Sequence, residues 1–116
     1  MNNQEINSYN DGILYFLVPK DNKNQFGAKI NIKNIKDLKR IGSSYFKEET
    51  RRIQDYQFAE GLNHKLTFKV KIPYKKGIKS NLKILIDGYL YDLIHFDNDK
   101  RKSSIYLYLE GIGFCE

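Results

Sequence analysis

A chain of 116 residues has room for one domain, and its 41% hydrophobic content is enough to fill one core. A single cysteine, Cys115, excludes an intrachain disulfide, and two histidines, His64 and His95, leave too few soft ligands for a zinc site. The net charge of +6 is laid out in blocks: residues 20–47 and 65–83 are strongly basic, whereas 48–64 and 84–116 are net acidic.

Residues 1–12 read as an N-terminal arm, with neither a basic leader nor an apolar stretch, so no signal peptide is expected. The run Ile13 to Val18 is too short to span a membrane and reads as a first strand, apolar on both faces. Such a strand is central, covered on both sides, or buried at a subunit contact. Pro19 closes it. Residues 20–28 form an Asn- and Lys-rich loop ending near Gly27. Ile30 and Ile32 alternate, then the pattern slips through Ile35, Leu38 and Ile41. That slip suits a strand with a bulge or a short helix, and the strand is the preferred reading.

Residues 43–62 resist assignment by periodicity. Phe46, Thr50, Ile53 and Gln57 fall near helical spacing behind Ser44, a candidate cap, yet Gln54, Tyr56 and Phe58 equally fit one face of an extended piece. Gly61 and Asn63 end the segment. Three alternating strands follow. Leu66, Phe68, Val70 and Ile72 share one face of the first, with Lys65, Thr67, Lys69 and Lys71 on the other. Residues 74–81 form a basic loop. Leu82–Ile86 and Tyr89–Phe96 form a hairpin across Asp87-Gly88, a dipeptide that supplies positive φ to a tight turn. Residues 97–103 make a charged hairpin tip, and Ser104–Glu110 returns as the last strand. The fold class expected is mainly β: a small antiparallel barrel or sandwich of five to six strands, with a long loop and at most one short helix.

The parts of an enzyme are missing. Asp97-Asn98-Asp99 opens like a calcium loop but lacks the glycine and terminal glutamate that complete one. No nucleophile elbow or phosphate-cradling glycine pattern is present. Glu48-Glu49 sits between Lys47 and Arg51 as a solvated charge cluster, and His95 alternates with Leu93 and Tyr91 as a packing residue. No catalysis, cofactor or metal is expected. Lys65, Lys69 and Lys71 on one strand face are candidates for contact with DNA phosphates. Phe68 points to the core side, so that face lacks a stacking platform, and only sequence-independent binding is implied.

Several segments in fixed order resemble the head–tail joining family of tailed bacteriophages, also called head closure or stopper proteins. They are Tyr45-Phe-Lys-Glu-Glu-Thr-Arg-Arg-Ile-Gln-Asp-Tyr-Gln-Phe-Ala-Glu60, Leu66-Thr-Phe-Lys-Val-Lys-Ile-Pro73, Leu82-Lys-Ile-Leu-Ile-Asp-Gly-Tyr-Leu-Tyr-Asp-Leu93, Phe96-Asp-Asn-Asp-Lys100 and Ile105-Tyr-Leu-Tyr-Leu-Glu110. The aromatic-rich form is similar to versions from phages of low-GC Gram-positive hosts. The 20–40 region departs from the pattern in being rich in Lys and Asn.

The resemblance implies one barrel domain over residues 1–116 that assembles as a homo-oligomeric ring of six or twelve copies around double-stranded DNA. A portal or adaptor protein would lie above the ring and a tail terminator or tail protein below, with no membrane. Such a ring closes the DNA exit channel, retains packaged DNA and offers the tail a platform in the virion, after assembly in the bacterial cytoplasm. By the same resemblance, residues 48–63 project as an extended or irregular loop that helps close the channel. Arg51, Arg52, Gln54, Asp55, Tyr56, Phe58 and Glu60 would then form gating and inter-subunit contacts, with Arg51 and Arg52 paired to Asp55 and Glu60 of adjacent loops. Two alternatives stand beside this reading: a free-standing basic barrel that binds single-stranded nucleic acid, and a different connector component such as an adaptor or tail terminator.

Overall fold

The computed structural model describes residues 9–19, 38–79, 81–99 and 103–114. Six strands and one helix follow in chain order: β1 Gly12–Pro19, β2 Leu38–Glu48, α1 Ile53–Gly61, β3 Phe68–Pro73, β4 Lys83–Ile86, β5 Tyr89–Asn98 and β6 Ser104–Phe114. The sheet order is β1-β2-β3-β6-β5-β4, every pair antiparallel, and β1 pairs with β4 to close the ring. The β2–β3 seam is short, two register pairs, so among the described residues most of β2 is bonded to β1 alone. The expected mainly β class is what the chain adopts, with six strands and one short helix among the described residues. The expected loop at 20–28, the Ile30–Ile35 alternation and most of the N-terminal arm lie outside the described residues.

Alternation decides which side chains fill the barrel. Leu14 and Phe16, Val70 and Ile72, Ile84 and Ile86, and Ile105, Leu107 and Leu109 all point inward and are buried. Leu17, Leu38, Leu85 and Leu90 make a second buried cluster, with Tyr15 and Ile112 packed against it. That cluster explains why β1 reads as apolar on both faces.

Three bulges bend the longer strands. In β1–β2 the register passes from Phe16↔Gly42 to Leu17↔Arg40, leaving Ile41 as the extra residue. Ile112 and Ile94 are passed over in the same way along β5–β6. The slip in periodicity near Ile41 is therefore a strand with a bulge. Asp87 and Gly88 both take positive φ, 50° and 79°, as a tight primed turn requires.

Residues 48–63 depart from expectation. Ile53–Gly61 is an α-helix, not an extended or irregular loop. Its start is set by Asp55, whose Oδ2 accepts the backbone N–H of Arg52 at 2.8 Å while the N–H of Asp55 reaches back to Arg52 O. Its end is a Schellman turn. Asn63 sits at φ 63°, the N–H of His64 donates to Ala59 O, and that of Asn63 donates to Glu60 O. Ser44, the candidate cap, lies inside β2. Among the described residues, no helix is long and apolar enough to cross a membrane.

Truncating the middle of the core tests this packing. Leu107→Ala should cost about 2–5 kcal/mol in denaturant unfolding, the range for emptying a well-packed core site. Lys65→Ala, on an exposed residue, should change stability by no more than about 0.5 kcal/mol.

Candidate functional site: a helix docked over buried charge

The outer face of β3, β6 and β5 carries an in-register row, Lys69↔Tyr108↔His95. Helix α1 lies across that row, and its residues at positions i, i+3 and i+4 each meet one member. Lys69 Nζ donates to Asp55 Oδ2 at 3.0 Å. The ring of Phe58 sits 4.8 Å from that of His95. Ala59 packs with Tyr108 and Leu66. The spacing is that of one helical face.

The ion pair is deeply placed. Lys69 and Asp55 are each only 5% exposed, with Arg52 bridging from the outside at 3.4 Å to Asp55 Oδ1. Lys69 Nζ also lies 5.1 Å from the Tyr108 ring centroid and 5.4 Å from that of Tyr106. Burial alone would push the Asp55 carboxyl up. Hydrogen bonds from the Arg52 backbone and from the Lys69 and Arg52 side chains outweigh it, so Asp55 titrates below the ordinary carboxylate value. Tyr108 moves the other way: burial, with the Asp55 and Asp97 carboxylates, pushes its phenol up to about 12.

Further contacts tie both flanks of α1 to the barrel. Arg51 Nη1 donates to Thr67 O, and His64 Nδ1 meets Glu110 Oε1 at 2.6 Å. Thr67 Oγ1 accepts the Gly111 N–H at 2.7 Å. Lys71 Nζ stands 3.9 Å from Glu49 Oε2. A cleft of about 380 Å³ beside the ion pair is lined by Glu49, Thr50, Arg52, Lys69, Asp97, Asn98, Tyr106 and Tyr108. A neighbouring hollow of about 470 Å³ is lined by Asp11, Glu48, Glu49, Thr50, Arg51 and Tyr56.

The structure gathers Arg52, Asp55 and Lys69 into one network, and spreads Gln54, Glu60 and Lys65 over exposed positions. Two expectations are corrected. Lys69 lies on the outer face of β3 but is not open to DNA, because α1 covers it. Asp55 pairs with Arg52 and Lys69 of its own chain, so its charge is met without an adjacent loop. Tyr106, Tyr108 and Ala59 were not anticipated. The alternation Ile105-Tyr-Leu-Tyr-Leu did carry a signal, since it sets both tyrosines on the face opposite the core. Among the described residues, no group of three or more His, Cys, Asp or Glu side chains is placed to hold a metal. No family model and no curated protein matches the chain.

Removing one partner of a buried pair strands the other. Asp55→Ala or Lys69→Ala should therefore cost about 3–5 kcal/mol in urea unfolding, whereas Asp55→Leu with Lys69→Met should recover much of that loss. The pH dependence has a definite sign. A carboxylate with a depressed folded-state pKa contributes fully above its unfolded value and loses that contribution as pH falls through the folded one. Wild-type stability should drop below about pH 4, and Asp55→Asn should flatten that drop.

Proposed function

We propose that this chain is a structural subunit of the tailed-phage head-to-tail connector. It would assemble as a homo-oligomeric ring beneath the portal or adaptor, close the DNA exit channel and carry the tail. The reading starts from the resemblance of segments 45–60, 66–73, 82–93, 96–100 and 105–110 to the head–tail joining family. One structural observation supports it most directly: α1 is pinned to a closed barrel yet leaves several apolar side chains exposed. Ile53 is 73% exposed, and Tyr56, Phe58 and Leu62 lie between 41% and 45%. Apolar residues held bare on a helix suit contact with another protein surface.

A second bare apolar group supports assembly by unlike faces. Ile13 and Tyr45 are register partners on the outer side of β1 and β2, and both are exposed. In the strand order β1 stands three places from β6, so this pair lies across the barrel from α1. Two different contact faces on one subunit are what a heterologous, ring-forming interface uses. Exposed basic residues such as Lys65 and Arg52 would meet phosphates without reading base sequence. The single-strand binding alternative is weakened, since one of the three lysines on its face is buried and Phe68 packs against the core. The virion would be the site of action and the bacterial cytoplasm the site of assembly.

Particles assembled without this chain should fill with DNA, leak it and remain tailless by electron microscopy. Ile53→Asp with Tyr56→Asp should fold normally and fail to enter particles. Full incorporation of that variant, with intact DNA retention, would contradict the role given to α1.

A further inference from the structure

One end of the barrel is an aromatic hollow with an acidic rim. The antiparallel order brings together the start of β1, the end of β2, the start of β3, the β4–β5 turn and the end of β6. The hollow holds about 380 Å³. Its rings touch in sequence. Phe68 stacks on Tyr91 at 5.7 Å, Tyr91 meets Tyr89 at 5.0 Å, and Tyr89 meets Phe114 edge-on at 4.7 Å. Gly111 makes room for this: a Cβ there would come within 2.9 Å of the Tyr89 ring. Asp11, Glu48 and Asp87 line the same hollow. Burial, and then Tyr89, Asp87 and Glu48, push the Tyr91 phenol up, so the rim carboxylates act on the rings inside it. Among the described residues, the Glu48 and Asp87 carboxylates have no ion-pair partner.

At the opposite end of the barrel, beside the β5–β6 tip with Asp97 and Asp99, one segment has the complementary charge. Residues 74–79, which follow β3, carry Lys75, Lys76 and Lys79 and no acid. Lys75 lies back over Phe16, its Nζ 5.8 Å from the ring centroid. Lys76 and Lys79 are exposed on either side of Gly77, whose φ of 90° makes the turn. An ammonium group is attracted both to aromatic faces and to carboxylates, and a hollow offering both selects for a cationic side chain.

We propose that the aromatic mouth of one copy receives a lysine, Lys76 or Lys79, from the far end of a second copy. The contact joins two different ends of the same chain, so it is heterologous and propagates into a ring when its rotation closes. It deepens the ring-subunit reading and rests on it for its setting.

Sedimentation velocity on the purified full chain tests it without phage particles. Wild type should associate with increasing concentration and less so at high salt. Glu48→Gln with Asp87→Asn should weaken association roughly tenfold or more, and Lys76→Gln with Lys79→Gln should do the same. Asparagine tolerates the positive φ at position 87, and all four positions are exposed, so circular dichroism should stay unchanged. Glu48→Lys and Lys79→Glu chains should each associate poorly alone and associate when mixed. A wild type that stays monomeric throughout, or association that neither pair of substitutions alters, would overturn the contact. Binding of tetralysine by a chain that stays monomeric would overturn it too, by giving the mouth a different occupant. Association of the predicted kind in a protein absent from virions would instead sink the connector reading and leave the contact standing.

Discussion

The pair formed by Lys69 and Asp55 governs how the only helix among the described residues meets the barrel. Each charge is nearly removed from water, and desolvating two ions in this way costs several kcal/mol before their attraction is counted. The cost is offset because each group has several favourable contacts. Asp55 accepts from Lys69, from the Arg52 backbone and from the Arg52 side chain, while Lys69 rests against the rings of Tyr106 and Tyr108. A helix whose buried residues are only Asp55 and Ala59 has little apolar surface to hold it down. Electrostatics and capping, more than hydrophobic burial, set where α1 lies.

That choice leaves the apolar side chains of α1 free for other contacts. Ile53 and Tyr56 face out from α1, Leu62 stands exposed at its C-cap, and Phe58 leans on His95. The barrel beneath is a closed ring whose bulges at Ile41, Ile94 and Ile112 let long strands turn. Among the described residues most of β2 is paired with β1 alone, and side-chain surfaces stand beside that edge as places for contact with other molecules. The bare helix, the Ile13–Tyr45 pair and the aromatic mouth are three such surfaces, each with its own chemistry.

Much of the barrel was legible in the alternation of residues 66–110, because a period of two states directly which side chains face inward. Asp87-Gly88 named its turn for the same local reason. The helix was not legible, since its buried face is a carboxylate and an alanine, and a hydrophobic pattern cannot report a polar anchor. The capping role of Asp55 and the Schellman stop at Asn63 are local signals, but they gain force only once the helix is recognised. Lys69 was misread because alternation gives the side of the strand a residue occupies, and not what later covers it. The aromatic mouth draws Phe46, Phe68, Tyr91 and Phe114 from four strands, a convergence set by the pairing order β2-β3-β6-β5.

Amide hydrogen exchange at neutral pH is the most direct test of the ion pair as the anchor of α1. Wild type should protect the amides of residues 56–62 alongside those of the barrel strands. Lys69→Met should abolish protection in the helix while β1, β4 and β6 keep theirs. Equal helix protection in the two proteins would contradict the account.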